Sequence, residues 1–284
     1  MSVFGIPYII KPIETVFSVY GFLFQPGRNA EIAAITVKNE EMKMPRFFTN
    51  QIEGNQVWIT GADATHIGRS LRMKPGEELT VSDYGGTDHR CVITQITPDR
   101  VELTILESMP NESEPTVNVT LYQALPKGDK LETILQKSVE LGVSRIVPVL
   151  TSRCISRPDA KSMAKKLERY GKIVLSAAKQ CGRGILPEVS PLMSFDQAAK
   201  ELAQHETPIF CYEQGGAPLT ALVGPKTKDV GLLIGAEGGF DPGEAETLDK
   251  LGVPRAGLGK RILRCETAPI AALAAVMLLT GNLE

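Results

Sequence analysis

The stretch Gly231-Leu232-Leu233-Ile234-Gly235-Ala236-Glu237-Gly238-Gly239-Phe240-Asp241-Pro242-Gly243-Glu244 decides how the chain is read. It opens with a short apolar run of strand length. A loop carrying Gly235, Gly238 and Gly239 follows. Glycine has no Cβ and tolerates positive φ, so such a loop lets backbone approach a ligand closely. A helix is then expected, with Asp241 as N-cap, Pro242 at its first position and Glu244 completing a capping box. Without a ligand the same residues would still make a tight strand-to-helix turn, and the loop alone does not separate the two readings. It is not a dinucleotide fingerprint or a Walker loop. No GxGxxG is present, no Gly-Lys-Ser/Thr follows, and the loop comes late in the chain rather than after a first strand.

A second unit of the same kind follows, Gly257-Leu258-Gly259-Lys260-Arg261-Ile262-Leu263-Arg264-Cys265-Glu266-Thr267-Ala268-Pro269. A strand ends in glycine, a loop intervenes, and Thr267 is expected to cap a helix of small residues. Two such loops after two late strands can form one pocket at the carboxyl edge of a parallel sheet. Arg264 and Glu266 would bring polar groups to it. The plain alternative is that both residues pair at the surface.

Working outward, residues 116–284 read as alternating strands and helices, the grammar of an α/β parallel sheet. Strands are expected at 117–125, 145–150, 207–212, 230–235 and 255–258. Helices are expected at 129–141, stopped by Gly142, at 159–181, and at 267–280. Before them, residues 44–115 carry short strands at 56–60, 78–83, 89–96 and 100–106, with one helical piece at 63–71. Even spacing and a Gly85-Gly86 turn suggest a small β-barrel. Residues 109–115, with two prolines and two glutamates, read as a linker.

Hydrophobic residues at 43% and charged residues at 23% give a folded, not a disordered, chain. Apolar runs stay short or carry charges, so no membrane helix is expected. The five cysteines are scattered, without a CxxC pair, and the three histidines do not cluster with them. That excludes a zinc-binding reading and fits reduced thiols of a cytoplasmic protein. Cys181, next to Gly182-Arg183, has no histidine beside it and reads as a core filler, not a nucleophile. Residues 1–43 read as an N-terminal extension, either disordered or the product of an upstream start, with Met44 as the natural beginning.

Net charge is -2, which excludes a simple polycation. Between Ser152 and Arg183, however, nine lysines and arginines face two acids. Such a run is often a solvated helix face, but against an acidic background it points to phosphate binding. In the barrel, Arg69, Arg72 and Lys74 add a basic cluster with His66.

Pro45-Arg46-Phe47-Phe48, His66 to Met73, Lys137 to Val143, Gln180 to Arg183, Leu232 to Gly239 and Leu258 to Thr267 appear in one order across about 240 residues. In these stretches the chain resembles the RsmE family, the 16S ribosomal RNA (uracil-N3) methyltransferases of the SPOUT superfamily. The resemblance implies a PUA-like barrel for RNA and an α/β domain tied in a C-terminal trefoil knot. It also implies a homodimer acting on the small ribosomal subunit with S-adenosyl-L-methionine as cofactor and no metal. Carried onto this chain, the cofactor residues are Tyr212, Ile234, Gly235, Glu237, Gly238, Gly239, Leu258, Gly259, Ile262, Leu263, Arg264 and Thr267. The expected catalytic pair is Arg264 and Glu266. The expected RNA contacts are Arg46, Arg69, Arg72, Lys74, Arg153, Arg157 and Arg183. The family usually has proline at Ala236 and often threonine at Cys265 and Ala268. Three rival functions differ in readout. A ribose 2′-O-methyltransferase would mark the sugar, an assembly factor without catalysis would bind RNA but transfer nothing, and a metabolic α/β enzyme with a merely solvated basic face would fail to bind ribosomal RNA at moderate salt.

Overall fold

In the computed structural model residues 44–283 are described, so the expectations for residues 1–43 lie outside the described residues. The barrel begins with β1 (Arg46–Phe48), β2 (Ile52–Glu53) and β3 (Gln56–Thr60). A helical turn α1 (Gly61–Thr65) runs on as a wider π turn over His66–Ser70. Then come β4 (Glu78–Ser82), β5 (Thr87–Ile96) and β6 (Arg100–Pro110). The six strands form one sheet in the order β1-β4-β5-β6-β3-β2. Thr49, just after β1, donates from Oγ1 to the Trp58 carbonyl of β3 at 3.0 Å and so links the two sides of the sheet, while the Trp58 N–H to the Gln51 carbonyl at 3.0 Å extends the β2–β3 pairing. The alternating residues Val57 and Ile59, Leu79 and Val81, Cys91 and Ile93, Val101 and Leu103 all point inward, with Phe47 and Ile67 among them. Each such aliphatic side chain contributes about 1.5–3 kcal/mol by leaving water.

The second half starts with β7 (Asn118–Ala124), α2 (Lys130–Glu140), β8 (Arg145–Leu150) and α3 (Ala160–Cys181). Next are β9 (Glu188–Val189), β10 (Met193–Ser194), α4 (Phe195–Leu202), β11 (Thr207–Cys211), β12 (Ala217–Pro218) and α5 (Leu219–Leu222). It ends with β13 (Asp229–Ile234), α6 (Pro242–Lys250), β14 (Arg255–Gly257) and α7 (Thr267–Leu279). All its strand pairs are parallel, in the order β10-β8-β7-β13-β11-β14-β12, with β9 also beside β8. A parallel sheet is covered on both faces, so its strands are apolar throughout. Leu121, Ile146, Leu232 and Ile209 pack on one face, under α2, α3 and α7. Tyr122, Val147, Leu233 and Phe210 pack on the other, under α4 and α6. In α2, Leu131, Ile134, Leu135 and Val139 make the buried stripe that the spacing predicted.

The expected elements are present within a few residues, and beside them stand short ones that the sequence reading did not name, β1, β2, β9, β10, β12 and α5. The helix α4 was not anticipated, although Ser194 and Gln197 form a full capping box at its start. The segment expected to be a linker is not a loose tether. Its first two residues belong to β6, and the rest is pinned. Asn111 Nδ2 donates to Asp88 Oδ2 at 2.7 Å and to the Gly182 carbonyl at 3.0 Å. Glu114 accepts from the Arg183 guanidinium and from the Gly184 and Ile185 N–H groups at 2.8 and 2.9 Å. Among the described residues no helix is long and apolar enough to cross a membrane.

Candidate active site

The strand order places β11 between β13 and β14. The loops leaving β13 and β14 therefore stand on either side of the exit of β11, at the carboxyl edge of the sheet, where open α/β sheets bind ligands. A cavity of about 560 Å³ opens there, within the usual range for small-molecule sites. The β13 loop supplies Ile234, Gly235, Glu237, Gly238 and Gly239. The β14 loop supplies Leu258, Gly259, Ile262, Leu263 and Arg264, and the exit of β11 supplies Tyr212. All of these were expected from the sequence. Thr267 and Glu266 do not line the cavity. Thr267 is the first residue of α7, not its cap; Glu266 holds the N-cap position, with no side-chain cap bond.

The β13 loop is folded tightly on itself. The Gly239 N–H donates to the Ala236 carbonyl at 3.0 Å, and Gly239 has φ +63°. A Cβ at Gly235 would lie 3.2 Å from Gly239 Cα. Asp241 and Glu244 form the expected capping box. Glu244 also accepts from the Ser152 N–H at 2.7 Å, which ties α6 to the loop after β8. From that loop Arg153 reaches the Gly238 carbonyl at 3.0 Å. A Cβ at Gly238 would meet Arg153 Cβ at 3.1 Å.

Charge in the site centres on Lys130, at the start of α2. Its ammonium lies 2.9 Å from Glu237 and 3.5 Å from Glu266. Burial pushes the Glu237 carboxyl up, but bonds from Lys130 and from the Lys127 N–H outweigh it and hold it below its usual range. Glu266 is also held low, first by the Cys265 thiol at 3.2 Å and then by its own backbone N–H and Lys130. The hydrogen bond to Glu237 raises the Lys130 ammonium. Burial and the neighbouring acids push the Cys265 thiol up to about 12, so it stays protonated and donates. The Arg264 side chain is exposed and takes no partner among the described residues, while its carbonyl accepts from Thr267 and Ala268 at 2.9 Å.

The expected RNA residues divide. Arg69, Arg72 and Lys74 are exposed on the barrel, with side chains free of partners among the described residues. Arg153 and Arg157 are exposed but partly engaged; Arg157 bonds the Thr151 and Ser152 carbonyls at 3.0 and 2.9 Å. Two expectations are corrected. Arg46 is half-buried and forks onto Asp88. Arg183 is 4% exposed, and its donors go to Glu114 and to the Val139 and Val143 carbonyls. Arg46 is used up inside the barrel and Arg183 in tying Glu114 to the sheet domain, so neither guanidinium is offered to a phosphate.

The profile of an RNA methyltransferase domain matches residues 112–277, and that of an RNA methyltransferase PUA domain matches residues 59–106. The chain belongs to the RsmE-type RNA methyltransferase family. It is 34% identical over 225 residues to the ribosomal RNA small subunit methyltransferase E of Bacillus subtilis, covering 77% of this chain and 88% of that one. Among solved structures, the Neisseria gonorrhoeae methyltransferase E bound to S-adenosyl methionine is 34% identical, with a TM-score of 0.75 over 83% of this chain and 98% of that one. A methyltransferase from Legionella pneumophila, solved with its cofactor, is 30% identical, with a TM-score of 0.77 over 84% and 98%. The enzyme class and the mixed α/β architecture with a PUA-like domain stand on these likenesses.

Some residues of this methyltransferase's site escaped the sequence reading. Lys130, Cys211, Glu213 and Gly215 line the cavity, and so do Lys260 and Arg261. The last two lie inside the quoted loop and could have been chosen for their charge. Lys130 comes from a helix more than a hundred positions away from Glu237. No local pattern announces such a partner.

Proposed function

We propose that this enzyme methylates N3 of one uridine in the 16S RNA of the small ribosomal subunit, using S-adenosyl-L-methionine. The observation that carries the reading is the pair of glycine loops flanking one strand exit, with an unpartnered Arg264 beside the cavity they enclose. The residues fit the cofactor. The volume suits a nucleoside with an amino-acid tail, and Gly235, Gly238 and Gly239 keep the loop free of side chains where Cβ atoms would meet neighbours at 2.6–3.2 Å. Tyr212, Ile234, Leu258, Ile262 and Leu263 would hold it, together with backbone of Gly235, Gly238, Gly239 and Gly259. When bound, it supplies a methyl group on a sulfonium, which already carries a good leaving group.

The chain's own residues then have to align the acceptor and manage its proton. Uracil N3–H is a weakly acidic imide; its proton passes to solvent water and the base becomes anionic, and as the N3–CH3 bond forms the bond from methyl to sulfur breaks and a neutral thioether leaves. Arg264, uncommitted and exposed, stabilises that charge. Glu266, held below its usual range, is a poor base and serves to orient through Lys130. Glu237 keeps Lys130 and the start of α2 in place and leaves the cofactor to the loop backbone. Thr267 acts through the helix start. Residues 44–115 form the RNA-binding barrel with its linker and residues 116–284 the catalytic domain. Arg69, Arg72, Lys74, Arg153 and Arg157 meet phosphates.

The finer architecture is a SPOUT-type knot formed by the two late loops, in a cytoplasmic homodimer. Supporting the dimer, Ile262 is 85% exposed at the cavity, and Ile155 and Leu278 of α7 are 70% and 57% exposed. Apolar groups this exposed mark an interaction surface.

The test is transfer of labelled methyl to unmodified small subunits and to free 16S RNA, with mass spectrometry of the labelled nucleoside. N3-methyluridine is expected. A methylated ribose would overturn the base specificity, and no transfer despite tight binding would leave an RNA binder. Arg264→Ala is expected to lower turnover by about 100-fold with cofactor affinity unchanged; full turnover would remove Arg264 from the mechanism.

A further inference from the structure

We propose that Glu213 recognises the ribose diol of the cofactor and so makes the enzyme selective for a ribonucleoside donor. The inference rests on the S-adenosylmethionine reading above. Three carboxylates stand at or beside the cavity. Glu237 is taken by Lys130 and the Lys127 N–H, and Glu266 by Cys265 and Lys130. Glu213 has no partner among the described residues. It lines the cavity directly after Tyr212, at the exit of the strand that both glycine loops flank. Its carboxylate also lies over the turn of the β13 loop. A Cβ at Gly239 would be 2.6 Å from Glu213 Oε1 and 2.9 Å from Oε2. The glycine with φ +63° therefore leaves room for this side chain as well as making the turn.

An acceptor-only group with two open oxygens needs donors from the ligand. The cofactor offers a vicinal diol and an ammonium. Lys260 and Arg261 line the same cavity from the β14 loop, and they draw the carboxylate end of the amino-acid tail toward themselves. The ammonium travels with that end, which leaves the diol for Glu213. Elsewhere, an acid at a strand exit in an open parallel sheet takes ribose hydroxyls for the same reason: two oxygens match two neighbouring donors.

The experiment is calorimetric titration of the full chain, wild type, Glu213→Gln and Glu213→Ala. The ligands are S-adenosylhomocysteine, methylthioadenosine, which lacks the amino-acid tail, and the 2′-deoxy form of methylthioadenosine. Glu213→Ala is expected to weaken the first two ligands alike, by about 10–100-fold, the size of hydrogen bonds to a charged group. Wild type should lose a comparable factor on removal of the 2′-hydroxyl, and the variant should lose little more. Glu213→Gln, isosteric, should show the same pattern with a smaller loss, so a misfolded alanine variant would not decide the matter. A loss seen with S-adenosylhomocysteine but not with methylthioadenosine would place the carboxylate on the ammonium and overturn the proposal. Unchanged affinities would overturn it outright. If wild type bound none of these ligands, the cofactor reading itself would fall, and the proposal with it.

Discussion

Replacing Glu114 by glutamine should unfold this enzyme early. Glu114 and Arg183 have side chains 15% and 5% exposed and are joined at 2.8–2.9 Å through Nε and Nη2 of the arginine. The same carboxylate accepts the Gly184 and Ile185 N–H groups, and Arg183 also donates to the Val143 carbonyl at 3.0 Å. Taking away one member of a buried, hydrogen-bonded pair leaves the other charge stranded, which costs about 3–5 kcal/mol. A neutral glutamine keeps one acceptor, so the lower end applies. For a chain of this size about 3 kcal/mol corresponds to a melting temperature lower by roughly 6–12 °C. Arg183→Lys should fall by a similar amount, because an ammonium cannot fork onto the carboxylate and reach the two carbonyls together. Joining Glu114→Gln with Arg183→Met should recover part of the loss, since no charge is then left unpaired. Calorimetric melting of the four proteins, with RNA affinity measured across salt concentrations, tests this. The reasoning is refuted if Glu114→Gln melts within about 2 °C of wild type, or if Arg183→Lys stays stable while the salt slope of RNA binding changes by about one counterion.

Gly239→Ala combines a left-handed φ with a Cβ set into the Glu213 carboxylate, so cofactor affinity should fall at least about tenfold while melting without ligand moves little. Asp88 gives an acid limb. Burial pushes its carboxyl up, but bonds from Arg46, Ser82 and Asn111 outweigh this, so its folded pKa lies below the unfolded value. Its contribution is therefore complete above about pH 4 and is lost as pH falls from there through the folded value. In Asp88→Asn the melting temperature should be lower at neutral pH and should change less between about pH 4 and pH 2; an unchanged acid limb would remove Asp88 as its source. If the chain pairs as proposed, wild type should scatter light as a dimer and Ile262→Asp as a monomer with its fold kept; a variant that stays dimeric would exclude this loop from the interface.

What the sequence made legible was local. The cap of α6 is written in Asp241, Pro242 and Glu244, and the structure uses all three positions for the helix start. The strands could be read because both faces of a parallel sheet are apolar. Charge was harder to place. Arg46 and Arg183 look in the sequence like any phosphate ligand, and only the fold shows Asp88 and Glu114 already holding them. Residues 109–115 read as a linker from their prolines and glutamates, and only the fold shows Glu114 holding Arg183. Lys130, the first residue of α2, and Glu213, just past the end of β11, were missed because the meaning of each comes from a loop distant in sequence. Thr267 was misassigned as a cap because the chain turns one residue earlier, at Glu266.

The pairing of β7 with β13 also sets an order of assembly. In the barrel, β4, β5 and β6 follow one another along the chain and pair as neighbours. By contrast, Gln123 at the end of β7 meets Gly235 at the end of β13 across 112 positions. Closing so long a loop is slow, and near pairings form first. On a translating ribosome the barrel can fold while β7 still lacks its neighbour. The cofactor cavity comes into being only when β13 and β14 arrive, so the barrel is finished before the half that carries the cofactor cavity exists.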